Sequence, residues 1–207
     1  VSGWLAELHR RLRPLDDPFL DASWNQRELA DLLPPERPRV AAAVLVPLVR
    51  HADATRLLLT RRTDTLATHA GQIAFPGGRV EPADESAVAA ALRETREEVG
   101  LDPSRVHPLG LLDPYDTITA FRVCPVVGFT EAPLELRPDP TEVAEAFEAP
   151  LDFFLDPANL QRRRQHYAGR EREYLVYEYG QHFIWGATAA MIYNLARRLN
   201  PDGPWEP

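Results

Sequence analysis

The segment from Gly77 to Leu101, GGRVEPADESAVAAALRETREEVGL, constrains the fold more than any other stretch of this chain. A glycine pair and a short polar turn lead into a run of helix-forming residues that ends at another glycine. Asp84 or Ser86 can cap the helix at its start, and Gly100 stops it after Val99. At about 100° per residue, Val88, Leu92, Thr95 and Val99 fall on one narrow stripe, the expected core face. Glu94, Glu97 and Glu98 gather on another face at spacing i, i+3, i+4, one turn apart. Three neighbouring carboxylates repel one another, so the helix is destabilised unless a cation compensates. Hard divalent ions suit the need, because Mg²⁺ prefers carboxylate oxygens and keeps water and phosphate ligands. Arg93, four residues before Glu97, offers the plainer alternative of a surface ion pair worth under ~1 kcal/mol. The Phe75-Pro76-Gly77-Gly78 turn weighs against that alternative. Its glycines let backbone approach a ligand closely, and acids facing outward from the next helix describe a site for metal-bound phosphates.

Around this segment the chain reads as mixed α/β layers. Ala41 to Val49 is a buried strand and Thr55 to Arg61 a second, with a hairpin turn at His51-Ala52-Asp53. Thr63 to Pro76 has no clean periodicity and is expected to be an ordered loop. Val106 to Leu112, Phe121 to Phe129 and Tyr174 to Tyr179 read as strands. Leu151 to Leu155 is a short helix, and Ala187 to Leu199 a longer final one. Residues 1–38 look like a helical preface. Trp4, Leu5, Leu8 and Leu12 recur at helical spacing, and a short helix from Arg27 to Leu33 ends at Pro34-Pro35. We therefore divide the chain into an N-terminal helical extension, 1–38, and one domain over 39–207.

Composition narrows the function. With 44% apolar and 26% charged residues, the chain is an ordinary globular one. Its longest apolar run, Ala41 to Val49, falls far short of the ~20 residues that span a bilayer. Leu5 to Leu15 is broken by Glu7, His9, Arg10, Arg11 and Arg13, so it holds no secretory core. No membrane partner is expected, and the location is expected to be cytoplasmic. A net charge of -8 opposes a phosphate backbone, which argues against nucleic acid as a partner. Metal ions can still carry phosphates to an acidic site. Cys124 is the only cysteine, which excludes an intrachain disulfide framework and a Cys-based zinc site. Three further features carry two readings each. Arg162, Arg163 and Arg164, with Arg170 and Arg172, are a solvated hairpin tip or a phosphate-steering patch. His69 makes a loop hydrogen bond or touches substrate. Phe183 and Trp185 belong to the core or stack on an adenine.

The central segment resembles the Nudix box. That pattern runs Gly, five residues, Glu, seven residues, Arg-Glu, an apolar residue, any residue, Glu-Glu, any residue, Gly, an apolar residue. Arg93, Glu94, Glu97, Glu98, Gly100 and Leu101 match, and Glu85 precedes Arg93 with seven residues between them. Six residues rather than five separate Gly78 from Glu85, and Thr95 takes the apolar position. The extra loop residue is similar to one branch, the coenzyme A pyrophosphatases. That branch's upstream signature is matched by Leu58, Leu59, Thr60, Arg62, Thr63, Leu66, His69, Gly71, Gln72 and Phe75 to Gly78. Ala67 stands where the branch usually has arginine.

The resemblance implies a Nudix fold, an α/β/α sandwich with a mixed β-sheet. It implies Mg²⁺- or Mn²⁺-dependent hydrolysis of coenzyme A, with its acyl or oxidised forms as further substrates, to 4'-phosphopantetheine or its derivative and adenosine 3',5'-bisphosphate. Glu94 and Glu98 are then the first metal ligands and Glu97 the next, with a Gly77 or Gly78 carbonyl completing the shell. Arg93 orients the carboxylates. The general base is a box glutamate such as Glu97, or Glu142 or Glu145 from a later loop. Glu85 caps the loop or reaches a second metal through water. Arg62, His69, Gly77 and Gly78 are candidates for substrate binding. ADP-ribose, NADH or another small nucleoside diphosphate derivative is the alternative substrate, and a non-catalytic Nudix ligand sensor is the alternative of another class. Oligomeric state is left open, a homodimer included.

Overall fold

A computed structural model describes residues 3–16, 22–34, 36, 38–65 and 69–205. The elements run α1 (Gly3–Arg11), β1 (Val40–Arg50), β2 (Thr55–Arg62), β3 (Ile73–Ala74), β4 (Gly77–Arg79) and α2 (Ala87–Val99). After a 3₁₀ turn come β5 (His107–Leu111), β6 (Tyr115–Asp116), β7 (Phe121–Glu131), β8 (Val143–Pro150) and α3 (Leu151–Leu155). A second 3₁₀ turn leads to β9 (Leu160–Tyr167), β10 (Arg170–Tyr179), β11 (His182–Trp185) and α4 (Gly186–Leu199).

β1 organises the fold because it is apolar on both faces. Ala43, Leu45 and Val49 enter one core cluster with Ala87, Ala90 and Val99 of α2. Ala42, Val46 and Leu48 enter the other, with Ala189, Ile192 and Leu195 of α4. A strand buried on both faces reads as a continuous apolar run rather than an alternating one. That is why Ala41 to Val49 stands out in the sequence. β7 pairs with β1 in parallel over its whole length, while β2 and β4 pair with it antiparallel. The sheet is therefore mixed, in the order β3-β2-β1-β7-β5, with β8 on β2 and β6 on β7. β9, β10 and β11 form a second, antiparallel sheet. The result is the expected α/β architecture, with α2 on one face of the main sheet and α4 on the other.

Leu8 and Leu12 of the N-terminal segment lie in the same core cluster as α4. Arg13 exchanges backbone hydrogen bonds with Leu111 at the β5 edge. Arg27 to Leu33 runs as consecutive turns rather than a helix, closed by bonds such as Leu32 N–H to Leu29 C=O at 2.9 Å. The Ser23 and Asn25 side chains just before it are engaged with Asp116, which fixes the backbone in those turns. The Thr63–Pro76 stretch contains β3, and Leu66, Ala67 and Thr68 lie outside the described residues. Strands β8 and β9 arise where no strand is legible in the sequence, because their charged residues hide the alternation, and β11 is only the four residues His182–Trp185. No helix among the described residues is long and apolar enough to cross a membrane.

Candidate active site

The site forms where α2 crosses β4. Ser86 caps α2 as expected, accepting the Ala89 N–H at 3.1 Å, and Gly100 ends it in a left-handed conformation. The core face of α2 differs from the expected stripe. Ala87, Ala90, Ala91, Thr95, Glu98 and Val99 are buried, while Val88 and Leu92 flank the contact half-buried. The alanines pack on Ala43, Leu45, Cys124 and Val126 of β1 and β7, while Gly77 and Gly78 lie where backbone crowds β1 and Glu94. An added Cβ on Gly78 would lie 2.5 Å from the Glu94 carboxyl carbon, and one on Gly77 2.4 Å from the Ala43 carbonyl oxygen.

This rotation separates the three glutamates. Glu98, about 20° from Ala87 and Ala91 on the helical wheel, points inward. Its side chain is only 7% exposed. Glu94 is half-buried against Gly78, and Glu97 is exposed. The acids do not all face outward, and their environments differ.

Glu98 accepts the Gly77 N–H at 3.3 Å and has the Arg62 guanidinium at 3.7 Å. Burial pushes its carboxyl up to about 7, against the pull of Arg62 and the Gly77 N–H; Glu142 and Glu94 add to the rise. Glu94 is also raised, by burial first, although Arg93 pulls the other way. Arg62 stands between two acids, with Glu142 at 3.9 Å on its other side. Its Nε is buried and has no partner.

Arg93 holds the exposed half of the site. Its guanidinium makes a two-pronged pair with Asp84, both bonds at 2.9 Å, and donates to the Arg79 carbonyl at 3.1 Å. Its remaining nitrogen reaches Glu94 at 3.0 Å and Glu97 at 3.1 Å. Asp84 is the residue that sequence reasoning missed as a partner: Arg93 holds its carboxyl below the usual range. The only signal was an acid in the turn before the N-cap, indistinguishable there from a second capping candidate.

The other candidates scatter. His69 has a positive φ of 60° and bonds Gln72 through Nδ1 at 2.8 Å, the loop-stabilising contact. Glu85 is exposed beside the N-cap. Glu145 lies beside His182, 3.2 Å from its Nε2. Arg162 and Arg163 pair with Glu173 and Glu178, and Arg170 and Arg172 both pair with Asp31. The arginine patch is thus neutralised on the β9–β10 hairpin. Cys124 is fully buried, as expected of a core residue.

Among the described residues no three acids or imidazoles stand close enough to make a ready coordination shell. The donor set nevertheless suits a divalent ion. Two oxygen-bearing side chains, Glu94 and Glu98, share the Gly77–Gly78 corner, and burial raises both carboxyls against the pull of Arg93 and Arg62. A hard cation supplies that charge.

Comparison with known proteins identifies the family. The NUDIX domain family model matches residues 38–171. A Pectobacterium atrosepticum protein named "Uncharacterized Nudix hydrolase NudL" is 45% identical over 180 residues, 84% of this chain and 91% of the relative. Its namesake from Escherichia coli K12 is 44% identical over 163 residues, 76% of this chain and 82% of the relative. Among solved structures, a Nudix hydrolase from M. smegmatis, RenU, aligns with a TM-score of 0.48 at 23% identity, over 56% of this chain and 73% of that one. With the family model spanning more than half of its length and both NudL relatives more than 40% identical over at least 76% of it, the chain belongs to the Nudix hydrolases, enzymes that split diphosphate bridges in small nucleotide derivatives.

Proposed function

We propose that this enzyme hydrolyses the diphosphate bridge of coenzyme A, using Mg²⁺ or Mn²⁺, in the cytoplasm. The observation that carries the metal-dependent chemistry is Glu98, a buried carboxylate facing Glu94 with a single arginine 3.7 Å away. The run from Leu58 to Gly78 and the six-residue spacing before Glu85 support coenzyme A over other nucleotides. Glu94 and Glu98 would hold the metal, beside the Gly77–Gly78 corner. When bound, the ion polarises the phosphoryl oxygens and makes a water acidic enough to attack at neutral pH.

The protein's own residues would do the rest. Arg93, fixed by Asp84, positions Glu94 and Glu97. Glu97 is tied to that guanidinium, whereas Glu142 has only the loose Arg62 contact at 3.9 Å and is half-exposed. Glu142 is therefore the better placed base. It takes a proton from the attacking water as the new P–O bond forms and the bridging P–O bond breaks, and the electron pair leaves with the departing phosphate. Arg62 and the Gly77 and Gly78 backbone face the negative charge of the bridge.

Product analysis by mass tests the substrate. The protein is incubated with coenzyme A, ADP-ribose and NADH, with Mg²⁺, with Mn²⁺ and with chelator. Metal-dependent adenosine 3',5'-bisphosphate, formed fastest from coenzyme A, is the expected result. Faster turnover of ADP-ribose or NADH would keep the chemistry and replace the substrate. No product from a folded, metal-binding protein would favour a ligand sensor.

A further inference from the structure

Glu142 stands one step outside the paired strands. β8 starts at Val143, which pairs with Arg62 at the end of β2. What fixes the residue before it is a loop docked on the end of α2. The last four carbonyls of a helix have no partner within it. Here the Val99 carbonyl accepts the Arg137 N–H at 2.7 Å, and the Glu98 carbonyl accepts the Asp139 N–H at 2.9 Å. Gly100 permits this approach. An added Cβ there would lie 3.0 Å from the Arg137 Cβ and 3.1 Å from its nitrogen.

At Asp139 the chain turns. Its carbonyl accepts the Glu142 N–H at 3.1 Å and the Val143 N–H at 2.8 Å. Its carboxylate accepts the N–H and the hydroxyl of Thr141, both at 2.8 Å. Thr63, the residue after Arg62, closes the circuit. Its N–H donates to the Glu142 carbonyl at 2.9 Å, and its buried hydroxyl to the Thr141 carbonyl at 3.2 Å. Two backbone hydrogen bonds thus lead from Glu98 to Glu142, and Thr63 leads back to Arg62. The Arg62 guanidinium lies between the two carboxylates, 3.7 Å from Glu98 and 3.9 Å from Glu142.

Surface loops ordinarily move more than the elements they connect. This one takes its position from the helix that carries Glu94 and Glu98. We infer that Asp139 and Thr63 are positioning residues, which hold the Glu142 backbone at a fixed distance from Glu98 so that base and metal ligands form one rigid unit. Both act through Glu142. The inference rests on the proposed roles of Glu98 and Glu142, but not on coenzyme A as the substrate.

The test measures kcat and KM in saturating Mg²⁺, with whichever of coenzyme A, ADP-ribose or NADH is turned over. Asp139→Ala and Thr63→Val should each lose about 10-fold in kcat with KM within about twofold, as loss of a supporting partner does at a metal site. Asp139→Asn and Thr63→Ser keep the acceptor and the donor and should restore most of the rate. Added to Glu142→Gln, Asp139→Ala should cost less than about twofold more, since residues acting through one group are not additive. Wild-type kcat in Asp139→Ala and Thr63→Val, beside an impaired Glu142→Gln, overturns the inference. So does an Asp139→Asn as slow as Asp139→Ala, which would make the charge the active property. Glu142→Gln at wild-type rate rejects Glu142 as the base, and the inference falls with that reading. Amide hydrogen exchange reads the tie without turnover. The Glu142 and Val143 amides should exchange about 10-fold faster in Asp139→Ala and at the wild-type rate in Asp139→Asn. Equal exchange in all three overturns the tie even where kcat falls. Faster exchange in Asp139→Ala alone, in a protein that hydrolyses no diphosphate, would retain the tie and reject the proposed activity.

Discussion

Two buried carboxylates, Asp116 and Glu98, are handled in opposite ways. Asp116 is 1% exposed and fully partnered. Arg122 reaches it with two bonds at 2.9 and 3.1 Å, Ser23 donates at 2.6 Å and Arg39 at 3.3 Å. Burial alone would raise its carboxyl, but the Arg122 and Ser23 hydrogen bonds outweigh that and hold it below the usual range. Glu98 is buried almost as deeply, yet it has one backbone N–H and one guanidinium beyond hydrogen-bond distance. Its carboxyl rises to about 7. Asp116 ties the N-terminal segment to β6 and β7 and has no capacity left. Glu98 is a charge the fold has buried without neutralising, which a structure keeps at a cost in stability. The difference separates a carboxylate that holds the fold together from one available to a ligand.

The largest expected effect breaks the Glu98 side of the comparison. Glu98→Gln should lower kcat for diphosphate hydrolysis by about 10³-fold, as loss of a central electrostatic group does. Its melting temperature without metal should equal or exceed that of wild type, because a neutral amide replaces an under-paired charge. Hydrolysis at near wild-type rate with unchanged metal dependence would remove Glu98 from the ligand set. Asp116→Asn should do the reverse. It leaves Arg122 and Arg39 facing a neutral group and should cost about 3 kcal/mol in urea unfolding, with kcat within about twofold of wild type. A variant of ordinary stability would show that the N-terminal segment is held by Leu8 and Leu12 rather than by this network.

Arg93→Lys should act more mildly. Lysine cannot reproduce the two-pronged bond to Asp84 while also reaching Glu94 and Glu97. A loss of about 10-fold in kcat, with Asp84→Asn giving a similar loss, is the expected pattern for a positioning pair. Wild-type kinetics in both variants would reduce Arg93 to a surface ion pair.

A separate readout is the pH dependence of stability, where the two carboxylates have opposite signs. Asp116 titrates lower in the folded state, so its contribution is complete above its ordinary pKa of 3.8 and is lost as pH falls. Glu98 titrates higher when folded, about 7 against 4.5, so the folded protein binds more protons between those values. Stability without metal should therefore fall as pH rises from about 4.5 to 7, on account of this group. Urea midpoints of wild type relative to Glu98→Gln should show that slope in chelator and lose it in Mg²⁺. A difference that stays flat across that range would mean that Glu98 is already compensated.

Legibility followed side-chain chemistry. Ala41 to Val49 and Phe121 to Phe129 were readable as strands because both are apolar enough to be buried on two faces. Strand β9, Leu160 to Tyr167, was not, since its run of arginines masks any alternation and each needs a carboxylate from a distant residue. On α2, the glutamate spacing was readable and the burial was not. Large residues such as Val88 and Leu92 draw the eye, but it is the alanines that pack on the sheet. Phe183 shows the same limit from the other side, as an aromatic before a helix that reads as core and stands 39% exposed.

The sequence by itself determined the family, the cap and stop of α2, the central strands and the set of acids available to the site. These are properties of residue type and short spacing. Only the tertiary structure decided which glutamate is buried, that Asp84 fixes Arg93, and that Arg61 meets Glu145 while Arg62 meets Glu98 and Glu142. Those outcomes depend on the desolvation and pairing of groups brought together from distant strands, and neither has any signature in local spacing.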